Sequence, residues 1–249
     1  LDISVKRKFV VQLNSDEEVG SPSSQPFTTA EAKRSSAVLV AEPSAGLKGC
    51  AKTGRKGGGT FTLRVRGRAS HAGLDFEAGA SAVVELSKQL ITVSQWSDLK
   101  KGITINPGVI AGGTRSNVVA EDAWAEVDVR VPRAADAARI EQKFFDLKVH
   151  DPRTKLKIEG GLRRPPLERS IEVVKLYRLA RKLSLESGTD LCEAQVGGGS
   201  DGNFTAAMGI PTLDGIGAVG EGAHALHESI LVNRITDRVT LIAKLIAAL

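Results

Sequence analysis

Carboxylates follow two apolar runs of the sequence, at the point where each run ends. Glu17 and Glu18 come after "FVVQL" (residues 9–13), and Glu42 comes directly after "SSAVLVA" (35–41). Continuous apolar runs of this kind are typical of parallel strands that are covered on both faces. Ligands of open α/β sheets bind beyond the carboxyl ends of such strands, so these acids are candidates for chemistry. An acidic surface turn is the alternative for the first pair.

A histidine near the end of the chain adds a second type of metal ligand. His224, in "GAHALHE", would suit Zn²⁺ together with Glu18 and Glu42, while Glu17 could take a proton from a metal-bound water. Adjacent carboxylates repel each other, and a cation would supply the counter-charge that they need in a partly dry site. Taken alone, a loop histidine is more often a solvated residue, so that alternative stays open for His224.

Other segments carry hydrogen-bond donors that suit a carbonyl or a carboxylate. His71, in "GRASHAG", could polarise a carbonyl or hold an oxyanion, and its alternative is a loop that leads into a helix. The run "GGGSD" (197–201) places backbone N–H groups before a helix, which suits an anion. Asn117 and Arg130 could clamp a carboxylate, with a turn or a surface salt bridge as the alternative for each.

The elements that must position these residues follow two kinds of pattern. From Thr60 onwards the sequence predicts the order β-α-β-β-α-β of a ferredoxin-like domain, after a glycine-rich break over 53–59. The flanking segments, with a helix over 171–187 and another that closes the chain, indicate one α/β domain with a mostly parallel sheet. The predicted segments are the first part of this domain (1–55), the inserted ferredoxin-like domain (56–163) and the second part (164–249).

Composition limits the class of protein. A chain of 249 residues with 41% hydrophobic residues can bury a sizeable core. The net charge is +5, but basic residues are scattered and aromatic residues make up 4%, so we expect no nucleic-acid partner. No apolar stretch is long enough to span a membrane, so we expect no membrane partner either. Cys50 and Cys192 lie far apart and indicate two packed thiols, and a cytoplasmic location is favoured over a periplasmic one.

Seven motifs occur together in an order that resembles one enzyme family. They are "NSDEEVGS", "AEPS", "GRASHAG", "SNVV", "DVRVP", "GGGSDGNF" and "GAHALHE". With these motifs the sequence resembles the zinc aminoacylase and carboxypeptidase metallopeptidases, which include acetylornithine deacetylase and succinyl-diaminopimelate desuccinylase. Glutamate carboxypeptidase is the group that it resembles most, and the similarity extends over essentially the whole chain.

The resemblance implies a catalytic domain with two Zn²⁺ ions per subunit, which Co²⁺ or Mn²⁺ could replace, interrupted by a ferredoxin-like lid that also forms a homodimer. Glu17 would be the general base, and His71 would reach into the partner subunit's site to bind the carbonyl oxygen. The implied metal ligands are Glu18, Glu42 and His224. The implied ligands of the substrate's carboxylate are Asn117, Arg130, Arg164, Gly198, Gly199 and Ser200.

The sequence also departs from the family pattern. Members of the family carry, upstream of the first acidic motif, a His-x-Asp motif and an Asp that bridges the two metals, and neither pattern occurs here. We therefore expect a missing N-terminal segment, two incomplete zinc sites and an exposed apolar edge around residues 9–13. The expected function is hydrolysis of an amide bond in a small peptide or N-acyl amino acid. The alternative is an inactive, truncated remnant that acts only as a dimerising module.

Overall fold

The computed structural model describes residues 7–249, which form a mixed α/β structure, so the predicted class is confirmed. The chain divides into two compact units. The first, called the split unit here, consists of the described residues up to Lys56 together with Arg164–Leu249. The second, called the inserted unit, is Gly57–Arg163.

Helices and strands alternate along much of the chain. The helices are α1 (Gln25–Lys33), α2 (Ala82–Ser94), α3 (Ala134–Phe145), α4 (Ile171–Leu185), α5 (Gly202–Ala207) and α6 (Ile235–Ala248). The strands are β1 (Val38–Leu39), β2 (Ala51–Arg55), β3 (Gly57–Arg66), β4 (Thr104–Gly112), β5 (Asp122–Val131), β6 (Lys155–Arg164), β7 (Glu193–Val196), β8 (Thr212–Leu213), β9 (Gly220–Glu221) and β10 (Ser229–Ile230).

The inserted unit is built on one four-stranded sheet in the order β4-β5-β3-β6, with β5 antiparallel to both of its neighbours. Buried and exposed residues alternate along β5, as expected for a sheet that is covered on one face. Residues of α2 and α3 complete the core, where the ring of Phe61 stacks on that of Phe144 with centroids 3.9 Å apart. This strand order is that of a ferredoxin-like domain, as the sequence predicts.

The split unit carries its strands as three separate pairs. β1 pairs with β8 and β2 pairs with β7, both in parallel, while β9 and β10 pair antiparallel. Leucines of α4 and α6 pack against these pairs, among them Leu176, Leu241 and Leu245. Ser170 begins α4 by accepting a hydrogen bond at Oγ from the Val173 N–H, and Gly188, with φ +83°, follows its end.

A disulfide joins Cys50 to Cys192, so the expectation of two packed thiols is wrong. Ala51 lies opposite Glu193 in the β2–β7 pair, which brings the preceding cysteines side by side with Cα atoms 4.4 Å apart. The pairing of β2 with β7 thus brings together two cysteines whose distance in sequence gave no sign of a disulfide. Disulfides are typical of oxidising compartments.

The structure corrects two further expectations and adds one helix that the sequence analysis does not predict. "FVVQL" at 9–13 is in no strand, because within residues 7–249 no strand lies beside it to complete its hydrogen bonds; Phe9 is 53% and Leu13 is 91% exposed. The glycine-rich stretch at 53–59 belongs largely to β2 and β3 rather than to a break. The added helix is α1, in which Pro26 stands in the first turn, where proline is favoured. Within the described part of the chain no helix is long and apolar enough to cross a membrane.

Candidate active site

The acidic stretch forms a tight turn that is anchored by its first carboxylate. Glu17–Val19 form a single 3₁₀ turn, which ends at Gly20 with φ +92°. Asp16 Oδ2 accepts hydrogen bonds from Ser23 N (2.8 Å), Ser23 Oγ (2.7 Å) and Ser24 N (3.1 Å). Hydrogen bonds from Ser24 and Ser23 hold the pKa of Asp16 well below its usual range. Asp16 therefore has a structural task, and it leaves Glu17 and Glu18 available for chemistry.

Glu17 lies against Arg164, the residue that the resemblance assigns to the substrate. Glu17 Oε1 accepts a hydrogen bond from Arg164 Nη1 at 2.7 Å, and Arg164 Nη2 donates to Ser21 Oγ at 3.3 Å. The same guanidinium lies 3.7 Å from Asp201 Oδ1 and 5.0 Å from the ring centroid of Phe204. The structure thus brings a proposed base and a proposed carboxylate ligand into direct contact.

Glu18 and His224 are brought together although 206 positions separate them in sequence. His224 Nε2 lies 3.7 Å from Glu18 Oε2, and both side chains are 76% exposed. His224 has φ +64°, in the left-handed region that non-glycine residues seldom occupy, so the "GAHALHE" loop holds it in a strained backbone conformation. Two of the predicted zinc ligands are therefore neighbours.

Glu42 does not join this pair. It follows β1, and its Oε2 lies 3.8 Å from Arg55 Nη2. Burial and the neighbouring Asp214 carboxylate raise the pKa of Glu42, while Arg55 opposes the shift. Among residues 7–249 no group of three or more His, Cys, Asp and Glu side chains is arranged to hold a metal ion. A catalytic zinc usually takes three protein ligands, so the pair of Glu18 and His224 fits only part of such a site.

The glycine-rich run forms a loop between β7 and α5, and buried side chains of the split unit make hydrogen bonds to it. Ser200 is buried; its N–H donates to Asn203 Oδ1 at 2.9 Å and its hydroxyl donates to Asp214. The carbonyls of Gly198 and Gly199 accept from Arg55 Nη1 at 3.1 and 3.0 Å. Ser200 thus donates its N–H inside the protein, to Asn203.

Asn203 holds the base of this loop to two other segments. Its Nδ2 donates to the carbonyl of Lys56 at 3.1 Å and to that of Pro165 at 2.8 Å. Lys56 is the last residue before the inserted unit, and Pro165 is the second residue after the chain returns to the split unit. One buried amide therefore connects the glycine loop with both crossing points.

Sequence reasoning missed Arg55 and Asp214, which form a buried pair. Arg55 Nε donates to Asp214 Oδ2 at 2.9 Å and Nη2 donates to Oδ1 at 2.7 Å. Asp214 directly follows β8, so the signal that singled out Glu42, an acid at the end of an apolar run, was present there too. Arg55 ends β2 within a stretch that its glycines marked as a break, and no pattern pointed to it.

In the inserted unit, His71 and Asn117 lie side by side on paired loop segments. His71 Nδ1 accepts hydrogen bonds from the N–H groups of Gly73 (3.1 Å) and Leu74 (3.2 Å). A nitrogen that accepts carries no proton, so the neutral ring holds its proton on Nε2 and presents it as a donor. The Asn117 carbonyl accepts from the Ala72 N–H at 3.0 Å.

Arg130 is already paired. Its Nε and Nη2 donate to the two carboxylate oxygens of Asp128 at 2.9 and 2.8 Å, two residues earlier on the same face of β5. This is the surface salt bridge that the sequence left open as the alternative.

Comparisons with known proteins show what the chain as a whole is similar to. Residues 53–148 match the family described as the peptidase dimerisation domain, which places the match mainly in the inserted unit. The chain is 29% identical to carboxypeptidase G2 of a Pseudomonas species over 244 residues, which is 96% of this chain and 58% of that protein. A probable carboxypeptidase of Arthroderma otae is 35% identical over 144 residues, 52% of this chain and 30% of that protein. The chain thus spans less than two thirds of the length of these relatives.

Solved structures show the same fold. An aminopeptidase from Bacillus cereus superposes with a TM-score of 0.70 at 19% identity, covering 90% of this chain and 62% of that one. A tripeptidase from Staphylococcus aureus superposes with a TM-score of 0.67 at 20% identity, with coverages of 90% and 62%. The sequence matches confirm the predicted resemblance to carboxypeptidases, and the solved structures agree with it in fold.

Proposed function

We propose that this chain provides the larger part of a peptidase-type hydrolase that cleaves the amide bond of a small peptide or N-acyl amino acid. The observation that carries the proposal is the approach of His224 to Glu18, directly beside Glu17. An imidazole and a carboxylate from distant segments, next to a second carboxylate, are the groups that a hydrolytic metal site requires. The similarity to carboxypeptidase G2 over 96% of the chain supports the reaction class.

Glu17 is the proposed general base. It takes a proton from the water whose oxygen attacks the carbonyl carbon, and it delivers that proton to the amine nitrogen as the C–N bond breaks. Its Oε1 is bonded to Arg164, so a substrate carboxylate would compete with Glu17 for this guanidinium. Binding of a substrate carboxylate to Arg164 would therefore free Glu17 from its hydrogen bond to that guanidinium.

Glu18 and His224 are the proposed ligands of one zinc ion and Glu42 that of a second, with further ligands from outside the described residues. Co²⁺ or Mn²⁺ could take the place of zinc. A bound zinc ion supplies two effects: it polarises the substrate carbonyl and it lowers the pKa of a bound water.

Donors in both units are proposed to hold the substrate. The exposed Nε2–H of His71 would stabilise the oxyanion across a dimer, since a donor aimed at developing charge lowers the barrier. The substrate's carboxylate would be held by backbone and side-chain donors, namely Asn117, Arg130, Arg164, Gly198, Gly199 and Ser200. Arg130 would have to exchange Asp128 for the substrate, and Ser200 would act through its place in the loop because its N–H is already bonded.

The inserted unit is proposed to join two copies of the chain. β4 is an edge strand of its sheet, and Ile110 on this strand is 57% exposed. The neighbouring helix α2 presents Ile91, 61% exposed, and a cavity of about 530 Å³ lies between residues of α2 and residues 112–120. An unpaired edge beside an apolar helix face suits an identical edge and face, and the dimerisation-domain match supports a second copy as the partner.

An assay of amide hydrolysis tests the proposal. The chain, extended by whatever its gene encodes before Leu1, should hydrolyse N-acetylglutamate or a glutamyl amide with zinc present, and a chelator should abolish the reaction. Glu17→Gln should lower kcat about a thousandfold because proton transfer is lost. Glu186→Gln, which changes an exposed carboxylate after α4, is the matched control and should leave kcat unchanged. Equal kcat for Glu17→Gln and the control would contradict the proposal.

A second candidate is a dimerising module without catalysis. It is favoured by the lack of a three-ligand group among residues 7–249. Metal analysis separates the two, since tight binding of two zinc ions per chain is incompatible with the module.

A further inference from the structure

The direction of the glycine loop is set from inside the protein by one buried arginine. We infer that Arg55, fixed by Asp214, is a positioning residue that aims the backbone N–H of Gly199 at the carboxylate of the substrate. The inference rests on the proposed function for the nature of the ligand. Its geometric part concerns this chain alone.

Arg55 uses its guanidinium in two directions. One edge forms a two-bond pair with Asp214, through Nε and Nη2 at 2.9 and 2.7 Å. The remaining Nη1 donates to the carbonyls of Gly198 and Gly199 at 3.1 and 3.0 Å. Because the guanidinium is planar and rigid, fixing one edge on Asp214 also fixes where Nη1 can meet the loop.

The hydrogen bonds from Arg55 to the two carbonyls also determine where the N–H groups of the same peptide bonds point. The C=O and N–H of a trans peptide point in opposite directions. The carbonyls of Gly198 and Gly199 face Arg55, so the N–H groups of Gly199 and Ser200 point away from it. Ser200 N–H is bonded to Asn203. Within the described residues, no hydrogen bond of the Gly199 N–H to the protein is found, and this donor is left for a ligand.

The same amide lies beside groups of the candidate site. A Cβ placed on Gly199 would come within 2.5 Å of Arg164 Cδ, so the loop backbone packs directly on this side chain. Arg164 in turn contacts Glu17. Gly198 has open space at its Cβ position and lacks such a contact. Gly199 is therefore the glycine of the loop that adjoins the proposed carboxylate ligand.

The pair of Arg55 and Asp214 is buried, which holds its geometry more firmly than a solvent-exposed pair would be held. The side chain of Arg55 is 4% exposed and that of Asp214 is 0% exposed. A buried ion pair contributes little net stability by itself, and removal of one partner leaves an uncompensated charge. Its value here is the fixed geometry of the two carbonyls. Lysine would retain the charge but not the fork, so Arg55→Lys separates geometry from charge.

The test compares two Arg→Lys changes at opposite ends of β7 by NMR on the 249-residue chain. Arg169 makes an equivalent two-bond pair with Glu193 at the beginning of β7, but it is exposed, so Arg169→Lys is the matched control. In Arg55→Lys the amide order parameters of Gly198 and Gly199 should fall from about 0.85 to below about 0.6. Affinity for N-acetylglycine should weaken about tenfold. Arg169→Lys should change neither quantity, because exposed pairs contribute little.

Unchanged order parameters in Arg55→Lys, or the same loosening in Arg169→Lys, would overturn the positioning role. Should Arg55→Lys fail to fold, Asp214→Asn keeps the shape of the pair and removes its charge, and it should loosen the same two amides. If the unaltered chain does not bind N-acetylglycine although Arg55→Lys loosens the loop, the proposed substrate class is wrong and the positioning role stands. The two failures are thus distinguishable.

Discussion

The inserted and split units satisfy their strands in different ways. In the inserted unit four strands form one sheet over a continuous core that includes the stacked rings of Phe61 and Phe144. In the split unit the strands form three separate pairs, a disulfide joins the two segments of the β2–β7 pair, and apolar residues at 9–13 stay exposed. The residues that we propose for hydrolysis, Glu17, Glu18, Glu42 and His224, lie in the split unit. The unit with one continuous sheet and core is thus distinct from the unit to which most of the proposed reactive groups belong.

The two units also differ in the pKa shift of one glutamate in each. Glu85 in the inserted unit is buried, and although burial opposes it, hydrogen bonds from Gln89, His150 N and Asp151 N lower its pKa. Glu42 in the split unit has its pKa raised by burial and by Asp214. Hydrogen bonds thus outweigh burial at Glu85, whereas burial and a neighbouring carboxylate outweigh the attraction of Arg55 at Glu42.

The largest expected effect comes from separating the units. The inserted unit, expressed as residues 57–163, should fold cooperatively and dimerise, because its sheet and core are contained within it. Residues 7–56 joined to 164–249 by a glycine-serine linker should be less soluble and bind a dye for exposed apolar surface. Circular dichroism melts and light scattering measure both. A soluble, cooperatively folded split unit beside an unfolded inserted unit would reverse the comparison.

The next effect is that of reducing the disulfide. Cys50 and Cys192 are 142 positions apart, and breaking their bond should destabilise the split unit by about 4 kcal/mol through the entropy of the unfolded chain. The inserted unit has no cysteine, so its own melting transition should not change on reduction. Calorimetry of the chain and of Cys50→Ser/Cys192→Ser, with and without reductant, checks this. Equal shifts of both transitions would show that the two units unfold together.

The smallest effect is expected from acid titration of Glu85. Its pKa is lowered in the folded unit, so the extra stability is present above the ordinary glutamate range, about 4.3, and is lost as the pH falls through the folded value. Glu85→Gln should cost about 1.5–3 kcal/mol at neutral pH, since hydrogen bonds to a charged group are lost. It should also flatten the pH dependence of urea unfolding between pH 5 and 3. Glu126→Gln on the exposed face of β5 is the control, and an equal flattening there would assign the dependence elsewhere.

Much of the inserted unit could be predicted because its order depends on local patterns. Alternation along β5 and the helical spacing of α2 and α3 are visible in the sequence itself. In the split unit the same reasoning failed at "FVVQL". The apolar run indicated a strand, but a strand also requires a neighbouring strand to bond with. Periodicity describes a segment and carries no information about its partner.

The site was predictable where it depends on residue type and hidden where it depends on pairing. Glu18 and His224 were singled out together, and the structure places them 3.7 Å apart. The bonding of Arg130 to Asp128, of Ser200 to Asn203 and of Arg55 to Asp214 could not be read from the sequence. A donor's availability depends on which acceptors folding brings to it. The type of a side chain alone does not decide this.

The amide of Asn203 has a consequence for how such proteins can be rebuilt. It holds the carbonyls of Lys56 and Pro165, so the gap in the split unit is closed by that unit's own side chain. Leu167 and Arg55 add a reciprocal pair of backbone hydrogen bonds, both 3.0 Å, at the same junction. Because residues of the split unit make the hydrogen bonds at this junction, another domain whose two ends lie close together could be inserted there. The position between residues 56 and 164 is therefore a natural splice point, at which a foreign domain could be grafted while the glycine loop keeps its support.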